Sequence, residues 1–207
     1  DSVSRSIALP GVAGKEVEAA LLYQLDGLHP FPEEEATHSF GRLAAPRRTS
    51  FALAIARRPI IEDYASLFDE AGIAVSVFLT PSAAIYSALR VLQPAPAEQF
   101  LALHEDASGL IVYGETQTHP IYCVRFPADS SRAVSLASAQ IRLSEDAPVA
   151  RLAALLPTAE RLEICTTLSY AASLAGALST QSLPINLLPV ERRKTSSPWR
   201  WIPTIVL

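Results

Sequence analysis

The residues best suited to chemistry lie together near the middle of the chain, where the run His104-Glu105-Asp106 is followed by Ser108. Neighbouring acid and base groups of this kind can transfer protons to and from a substrate. Consecutive residues of a strand point to opposite faces, however, so these side chains converge only where the chain turns. Ser108 and Ser169 lack the Gly-x-Ser-x-Gly sequence that exposes a nucleophilic serine. We therefore interpret the run as a solvated turn, predict no catalytic residue, and do not expect an enzyme.

Cysteine and histidine are too scarce to predict a metal centre or a disulfide framework. The chain has two cysteines, Cys123 and Cys165, each within an apolar run, and four scattered histidines. A structural metal site needs about four such ligands at close spacing. We therefore predict two reduced cysteines in the core and no metal.

The composition indicates a folded domain rather than a disordered segment. Of the 207 residues, 49% are hydrophobic and 18% are charged, and the net charge is −4. Disorder requires the opposite balance, and nucleic-acid binding favours a basic surface. We therefore expect one large domain or two small subdomains, without a nucleic-acid partner. Because the chain starts at Asp1, lacks methionine and ends in the apolar run Ile202–Leu207, we also expect a piece of a longer protein.

The first half of the chain alternates between strand and helix patterns. Apolar residues at helical spacing predict helices, and short β-branched or alternating runs predict strands. The predicted elements are a strand ending near Pro10, a helix at Lys15–Leu28, strands at Thr37–Ala44 and Phe51–Ala56, a helix at Pro59–Glu70, a strand at Ile73–Leu79 and a helix at Pro81–Leu92.

The second half begins after the Pro-Ala-Pro-Ala-Glu linker at Pro94–Glu98, which we take as an internal boundary. Three strand patterns separated by turns predict antiparallel hairpins, followed by further strands and helices. They are strands at Gln99–His104, Gly109–Tyr113, Pro120–Arg125 and Ala133–Leu143, a helix at Val149–Leu156, a strand at Arg161–Cys165 and a helix at Leu168–Leu178. We expect an α/β fold with subdomains at residues 1–93 and 94–181, and a tail at 182–207.

The tail contains a short apolar peptide bounded by prolines. Between Pro184 and the start of a basic run, the chain reads Ile185, Asn186, Leu187, Leu188 and Pro189. An extended peptide of this kind suits a groove between the two subdomains. We predict that these five residues form a partner-binding motif, in which Leu187 and Leu188 fill apolar pockets and Asn186 bonds to backbone.

Basic and aromatic residues follow the peptide and precede an apolar run. They are Arg192, Arg193, Lys194, Trp199, Arg200 and Trp201, before the run that begins at Ile202. Lys and Arg favour the cytoplasmic side of a bilayer, and Trp favours the headgroup level. We predict a membrane-proximal segment leading into a span near Ile202. The alternative is an ordinary edge strand at Trp201–Leu207, in a domain that has no membrane link.

The tail peptide and the body of the chain resemble known assembly proteins. Residues 185–189, followed closely by Glu-Arg-Arg, resemble the cytoplasmic motif of PilN, a membrane protein of type IV pilus assembly. The body resembles PilM, the actin-like protein that binds this motif, and more distantly the cytoplasmic domain of GspL of type II secretion. The supporting stretches are Ile7–Pro10 with the helix after it, His29–Glu35, Arg57–Ile73, Val77–Arg90 and Leu101–Phe126. The resemblance thus implies a natural fusion of the two proteins.

The resemblance implies an actin-like ATPase fold of the ribonuclease H-like type, truncated at its N-terminus. Its first phosphate-binding loop, with an Asp-x-Gly signature, does not precede Ile7. The stretch that matches the second loop is His104–Gly109, whose adjacent Glu105 and Asp106 would repel an anion. We therefore expect no ATP or Mg²⁺ cofactor. The alternative is a nucleotide-dependent switch of the actin class.

The resemblance also implies a scaffold at the cytoplasmic face of the bacterial inner membrane. Its partners would be the pilus or secretion assembly proteins of that membrane. The peptide at residues 185–189 would bind its own domain or that of a neighbour, and exchange between copies would produce an oligomer.

Overall fold

The computed structural model describes residues 2–12, 14–25, 27–44, 49–92, 98–128, 130–156, 166–177 and 182–193. Strands and helices alternate along the chain, as in α/β proteins. The strands are β1 (Ser2–Ala8), β2 (Ala36–Arg42), β3 (Ser50–Arg57), β4 (Phe100–Asp106), β5 (Gly109–Glu115), β6 (Tyr122–Phe126) and β7 (Val149–Arg151). The helices are α1 (Glu16–Leu25), α2 (Arg58–Glu70), α3 (Pro81–Leu92), α4 (Ala133–Ile141), α5 (Leu152–Leu155) and α6 (Thr167–Ala177), with short 3₁₀ turns at Glu33–Glu35 and Val190–Arg192.

The first sheet has the antiparallel order β1-β3-β2 and two very different faces. Residues directly opposite each other on antiparallel strands share a face. On one face the large residues Phe51, Leu53 and Ile55 of β3 pack against α1. On the other face every side chain is small: Ser2, Ser4 and Ser6 of β1, Ala52, Ala54 and Ala56 of β3, and Thr37, Ser39 and Gly41 of β2. This second face therefore admits other chain segments at close range.

The second sheet has the order β6-β5-β4-β7, with β7 parallel to β4 and the other pairs antiparallel. Helix α4 covers the face that carries Leu101 and Val112. A side chain at Gly114 would lie 2.6 Å from Leu101 Cδ2 and 2.9 Å from Ile141 Cδ1, so the glycine lets α4 approach this face. The opposite face joins the core that contains α3.

Helix α3 connects the two sheets. Its first turn begins at Pro81, where the missing N–H costs nothing, and the Thr80 hydroxyl accepts a hydrogen bond from the Ala83 amide at 3.4 Å. All residues from Ser82 to Leu89 are buried. The helix shares one apolar core with β3, β4 and β5, and the Ser82 hydroxyl donates to Ser4 of β1 at 2.6 Å. Small residues on both sides permit this approach.

Most of the predicted elements are present, including both hairpins of β4, β5 and β6, but the strand predicted at Ala133–Leu143 is wrong. This segment forms the helix α4, which ends at Arg142 in the left-handed conformation with φ of 55°. Ala133, Ala137 and Ile141 are fully buried and lie four residues apart, so they form one helical face. Their apolar character suits strand and helix equally, and only the spacing separates the two.

Two further segments differ from the prediction. Residues Ile73–Leu79 form no strand: the Ser76 carbonyl and both backbone groups of Phe78 bond to the C-terminal segment instead of a sheet. The helix predicted at Val149–Leu156 begins with β7, which pairs with β4, and only Leu152–Leu155 is helical. The strand predicted at Arg161–Cys165 lies outside the described residues, as does most of the predicted boundary at Pro94–Glu98. The subdomain division therefore remains a prediction.

Candidate peptide-binding site

The small-residue face of the first sheet holds the C-terminal segment Leu183–Leu188. Leu183 and Pro184 lie over Gly41 of β2, where a Cβ atom would come within 2.9 Å of Leu183 Cδ1 and of Pro184 Cδ. Asn186 lies beside Ser39, and its amide donates to the Ser39 hydroxyl at 3.0 Å. The segment thus runs antiparallel to β2, and the absence of a side chain at Gly41 is what makes room for it.

Apolar residues of the segment enter the core. Leu183, Ile185 and Leu187 belong to the same buried cluster as α3 and β3, and Leu188 is buried as well. Fully burying one side chain of this size stabilises the folded state by about 1.5–3 kcal/mol before the cost of ordering the chain. Pro184 is exposed, whereas Asn186 and Pro189 are partly buried. The segment therefore presents an apolar side to the core and a polar side to the rim.

Backbone hydrogen bonds connect the segment to its surroundings on several sides. The Leu187 amide donates to the Phe78 carbonyl at 2.9 Å. The Leu183 amide donates to the Ser87 hydroxyl of α3 at 3.0 Å. The Thr37 hydroxyl donates to the Leu187 carbonyl at 3.5 Å. We call the surface formed by Thr37, Ser39, Gly41, Ser76, Phe78 and Ser87 the peptide site.

The Asn186 side chain is the centre of this hydrogen-bond network. Its Oδ1 accepts from the Phe78 amide at 3.1 Å and from the Leu188 amide at 2.9 Å. Its Nδ2 donates to the Ser76 carbonyl at 3.0 Å. An amide offers an acceptor and a donor on one planar group, and both are used here. Aspartate would lose the donor and place a negative oxygen near the Ser76 carbonyl.

Arg192 and Arg193, two of the three arginines of the predicted membrane-proximal group, contact this segment or the helix beside it. Arg193 donates from Nε to the Leu188 carbonyl at 2.8 Å and from Nη2 to the Asn186 carbonyl at 2.9 Å. Arg192 forms an ion pair with Asp69 at the end of α2, with 3.7 Å between Nη1 and Oδ2. Lys194, Trp199, Arg200, Trp201 and the span predicted from Ile202 lie outside the described residues. Within the ranges that the structure describes, no helix is long and apolar enough to cross a bilayer.

The run His104–Gly109 contains the end of β4, a two-residue turn at Ala107 and Ser108, and the first residue of β5, so the prediction of a turn is wrong for His104–Asp106. Asp106 accepts hydrogen bonds from the Ser108 amide at 2.8 Å and from Arg125 at 2.8 Å, and Arg125 also donates to the Ser108 hydroxyl. The bonds from Ser108, and then those from Arg125, lower the pKa of Asp106 to about 2. Gly109 has φ of 132°, and a Cβ atom there would collide with the Phe126 carbonyl. The turn is thus closed by contacts among its own residues.

Burial alters the titration of two residues that the sequence offers for chemistry. Loss of solvent lowers the pKa of His104, whose Nε2 is buried and has no hydrogen-bond partner among the described residues. Burial raises the pKa of the Cys123 thiol to about 12, which leaves it protonated and a poor nucleophile. Cys165 lies outside the described residues. In the described part of the chain, no three His, Cys, Asp or Glu side chains lie close enough to hold a metal ion.

The sequence prediction missed a buried ionic network between α3 and β5. Arg90 donates to both oxygens of Glu115, at 2.8 and 2.5 Å, and the Tyr113 hydroxyl donates to Glu115 at 2.5 Å. Arg90 also lies over the Tyr86 ring, whose hydroxyl accepts from the Ala44 amide at 2.8 Å. Burial opposes the charge of Arg90, but the bonds and charge of Glu115 outweigh it and raise the pKa. The sequence signal that could have predicted this network is that Arg90 and Glu115 lie within otherwise apolar runs.

Burial, together with the charge of Glu115, raises the pKa of Tyr113 well above its usual range. Burial also raises the pKa of Tyr86. Both hydroxyls are therefore neutral in the folded protein at ordinary pH. The network holds α3 against the second sheet and, through Tyr86, against the chain that follows β2. It thus supports the helix that supplies Ser87 to the peptide site.

Comparisons with known proteins give structural neighbours but no relative in sequence. No family model and no curated protein matches the chain. The cytoplasmic domain of EpsL, an inner-membrane component of the type II secretion system of Vibrio cholerae, matches with a TM-score of 0.51 and 17% identity over 73% of this chain. A chain of the PilM-PilN type IV pilus biogenesis complex matches with a TM-score of 0.49 and 18% identity over 86% of this chain.

Neighbours of such low sequence identity give information about the fold only. The chain spans only 57% of the EpsL chain and 51% of the chain from the PilM-PilN complex. At 17% identity, the EpsL likeness shows the fold alone, and it confirms the predicted α/β fold class and the predicted similarity of fold to the cytoplasmic domain of the type II secretion protein. The assignment of residues 185–189 as a PilN-like motif, and the fusion, remain predictions.

Proposed function

We propose that this chain is a non-catalytic scaffold of an assembly system at the bacterial inner membrane, of the type IV pilus or type II secretion class. Its peptide site would hold a segment of the Ile185–Pro189 type. The fold that it shares with the EpsL domain supports the class of system. The contacts of the Leu183–Leu188 segment support the binding role, because they are those of a recognised peptide rather than of a strand in a sheet.

The observation that carries the proposal is the extensive hydrogen bonding of Asn186. Its side chain and its backbone bond to Ser39, Ser76, Phe78, Leu188 and Arg193. A connecting segment needs only to be solvated, whereas a site built around one amide side chain discriminates among sequences, since other side chains would leave buried polar groups unpaired. The contacts therefore favour a site that recognises a particular peptide.

The same site can accept a peptide from its own chain or from another molecule. In this structure the segment lies on its own domain. Identical contacts between two copies would produce an oligomer, as in domain swapping. Placement at the cytoplasmic face of the inner membrane is part of the proposal, and the basic residues after Pro189 are its support in sequence.

Nucleotide-dependent switching is the alternative that we do not favour. In the hairpin of β4 and β5, Arg125 donates to Asp106 and Ser108, and the carboxylates of Glu105 and Asp106 oppose a phosphate. We propose that the chain acts without ATP or Mg²⁺. Millimolar MgATP should leave the melting temperature unchanged, since only a ligand that binds the folded state raises it. A rise of several degrees would favour the switch.

The binding role is tested with a synthetic peptide of residues 182–193 that carries a fluorescent label. Asn186→Asp in the chain should release its own segment and leave the peptide site open. We expect saturable binding of the wild-type peptide to this chain by fluorescence anisotropy. A peptide with Asn186→Asp should bind at least about tenfold more weakly, because it loses the Nδ2 bond to the Ser76 carbonyl and places a negative oxygen against that carbonyl, together costing about 1.5–3 kcal/mol.

Gln24→Glu provides a matched amide-to-carboxylate control at an exposed position of α1. Its peptide site should remain occupied, so the labelled peptide should bind it no better than it binds the wild-type chain. Circular dichroism must show that the Asn186→Asp chain is folded. A folded chain that binds neither peptide would refute the binding role.

A further inference from the structure

Arg193 closes the bound segment into a compact loop. Its planar guanidinium donates to two carbonyls of the segment, those of Leu188 at 2.8 Å and Asn186 at 2.9 Å. A guanidinium suits this role because its donors lie in a fixed fork. Both acceptors belong to the residues that occupy the peptide site. These two bonds of Arg193 thus hold the segment in its shape and do not join it to the domain.

A short turn after Pro189 brings the Arg193 side chain within reach of the Leu188 and Asn186 carbonyls. Residues Val190–Arg192 form a 3₁₀ turn, in which the Arg192 amide donates to Pro189 and the Arg193 amide donates to Val190. The turn reverses the chain after Pro189 and returns Arg193 to the segment. Arg192, on the outer side of the turn, forms the ion pair with Asp69 of α2. The two neighbouring arginines therefore act differently: one bonds within the segment and the other bonds to the domain.

The segment occupies positions that a second copy of the same peptide would require. Leu187 takes the Phe78 carbonyl, and Asn186 takes the Phe78 amide and the Ser76 carbonyl. An incoming peptide of the same sequence must displace the resident segment before it can bind, so its apparent affinity depends on how often the site is open.

We propose that Arg193 is a latch, a positioning residue that holds the resident segment in its bound shape and so keeps the peptide site closed to the same segment of another molecule. This inference rests on the proposed function of the site. Preorganisation lowers the ordering cost of binding, so loss of Arg193 raises the population of the open site. The latch determines whether the chain remains self-bound or binds a second copy.

The test measures binding of the labelled wild-type peptide of residues 182–193 to whole chains. Arg193→Ala and Arg193→Lys chains should both bind about tenfold more tightly than the wild-type chain, because loss of a charged hydrogen bond opens the site by about that factor. Lysine keeps the charge but cannot donate in the fork geometry. Arg132→Ala, an exposed arginine before α4, should bind as the wild-type chain does.

A second measurement changes the peptide and keeps the receiving chain the same, so its result does not depend on how stable the Arg193 variant chains are. A labelled peptide with Arg193→Ala should bind the open Asn186→Asp chain about tenfold more weakly than the wild-type peptide, because it must be ordered without the latch. If the Asn186→Asp chain binds both peptides equally, or if the Arg193 variants bind as the wild-type chain does, the latch is overturned and the binding role stands. If no folded chain binds any peptide, both proposals fail.

Discussion

Single residues determine how closely the C-terminal segment approaches the first sheet. Gly41 leaves the space that Leu183 and Pro184 occupy, and Asn186 satisfies the backbone groups around it. Leu187 and Leu188 are buried and Asn186 Oδ1 accepts from backbone amides, whereas the role of residues 185–189 as a partner-binding motif, which the resemblance implies, stays a prediction. The sequence did not predict the receiving residues, because Ser39 and Ser76 are ordinary polar residues until the fold brings them beside the segment.

Substitution at Gly41 tests this close approach. Gly41→Ala should destabilise the protein by about 1–3 kcal/mol, since its Cβ would collide with the stiff ring of Pro184 as well as with Leu183. Urea unfolding measures the loss. Gly27→Ala is the matched control, because no heavy atom lies within 4 Å of its Cβ position. Equal effects of the two substitutions would show that the segment does not lie over Gly41.

The turn at Asp106 predicts a pH dependence of stability. The pKa of Asp106 is lowered from 3.8 to about 2 by Ser108 and then Arg125, so its contribution is present above pH 4 and is lost as the pH falls towards 2. The difference in unfolding free energy between the wild-type protein and Asp106→Asn should therefore shrink from pH 5 to pH 2. Asp63→Asn, at an exposed position of α2, is the control. A difference that stays constant with pH would contradict the ion pair.

At the scale of elements, local patterns predicted those helices and strands whose periodicity or end signals were clear. Helix α3 has the predicted bounds, and the β4–β5–β6 hairpins are in place. The segment at Ala133–Leu143 was misassigned because short apolar runs suit both helix and strand. Residues 73–79 were misassigned because their backbone partner is a segment more than 100 residues away, which no local pattern reveals.

The ion pair between α3 and β5 gives a prediction at this scale. The side chain of Glu115 is 7% exposed and that of Arg90 is 18% exposed. Glu115→Leu alone should destabilise the protein by about 3–5 kcal/mol, because it leaves a buried cation unpaired. Adding Arg90→Met should recover part of that loss. A double-mutant cycle from urea unfolding gives the coupling.

Additive effects in that cycle would mean that Arg90 and Glu115 do not interact in the folded protein. Arg57 and Glu35 provide a comparison, since their ion pair of 2.9 Å is about 40% exposed. An exposed pair contributes about 0–1 kcal/mol, so its cycle should show much weaker coupling. The contrast isolates the effect of burial from that of the contact distance.

At the scale of the whole molecule, one continuous core joins both sheets and the C-terminal segment. This core contains residues of β3, α3, β4 and β5 together with Leu183, Ile185 and Leu187. The α/β class followed from the order of elements, and the EpsL likeness confirms it. Which surface receives the segment could not be derived from sequence, since the small residues of β1, β2 and β3 form one face only after the strands pair.

Backbone hydrogen exchange at Leu187 and Leu188 in the whole chain tests the central claim most directly. Their amides are bonded to the Phe78 carbonyl and to Asn186 Oδ1. We predict at least about 100-fold slower exchange than for an unstructured chain, as for other buried bonded amides. Asn186→Asp should remove this protection while the amides of β5 keep theirs. Exchange of the Leu187 amide at the unstructured rate in the wild-type chain would contradict the binding of this segment to its own domain.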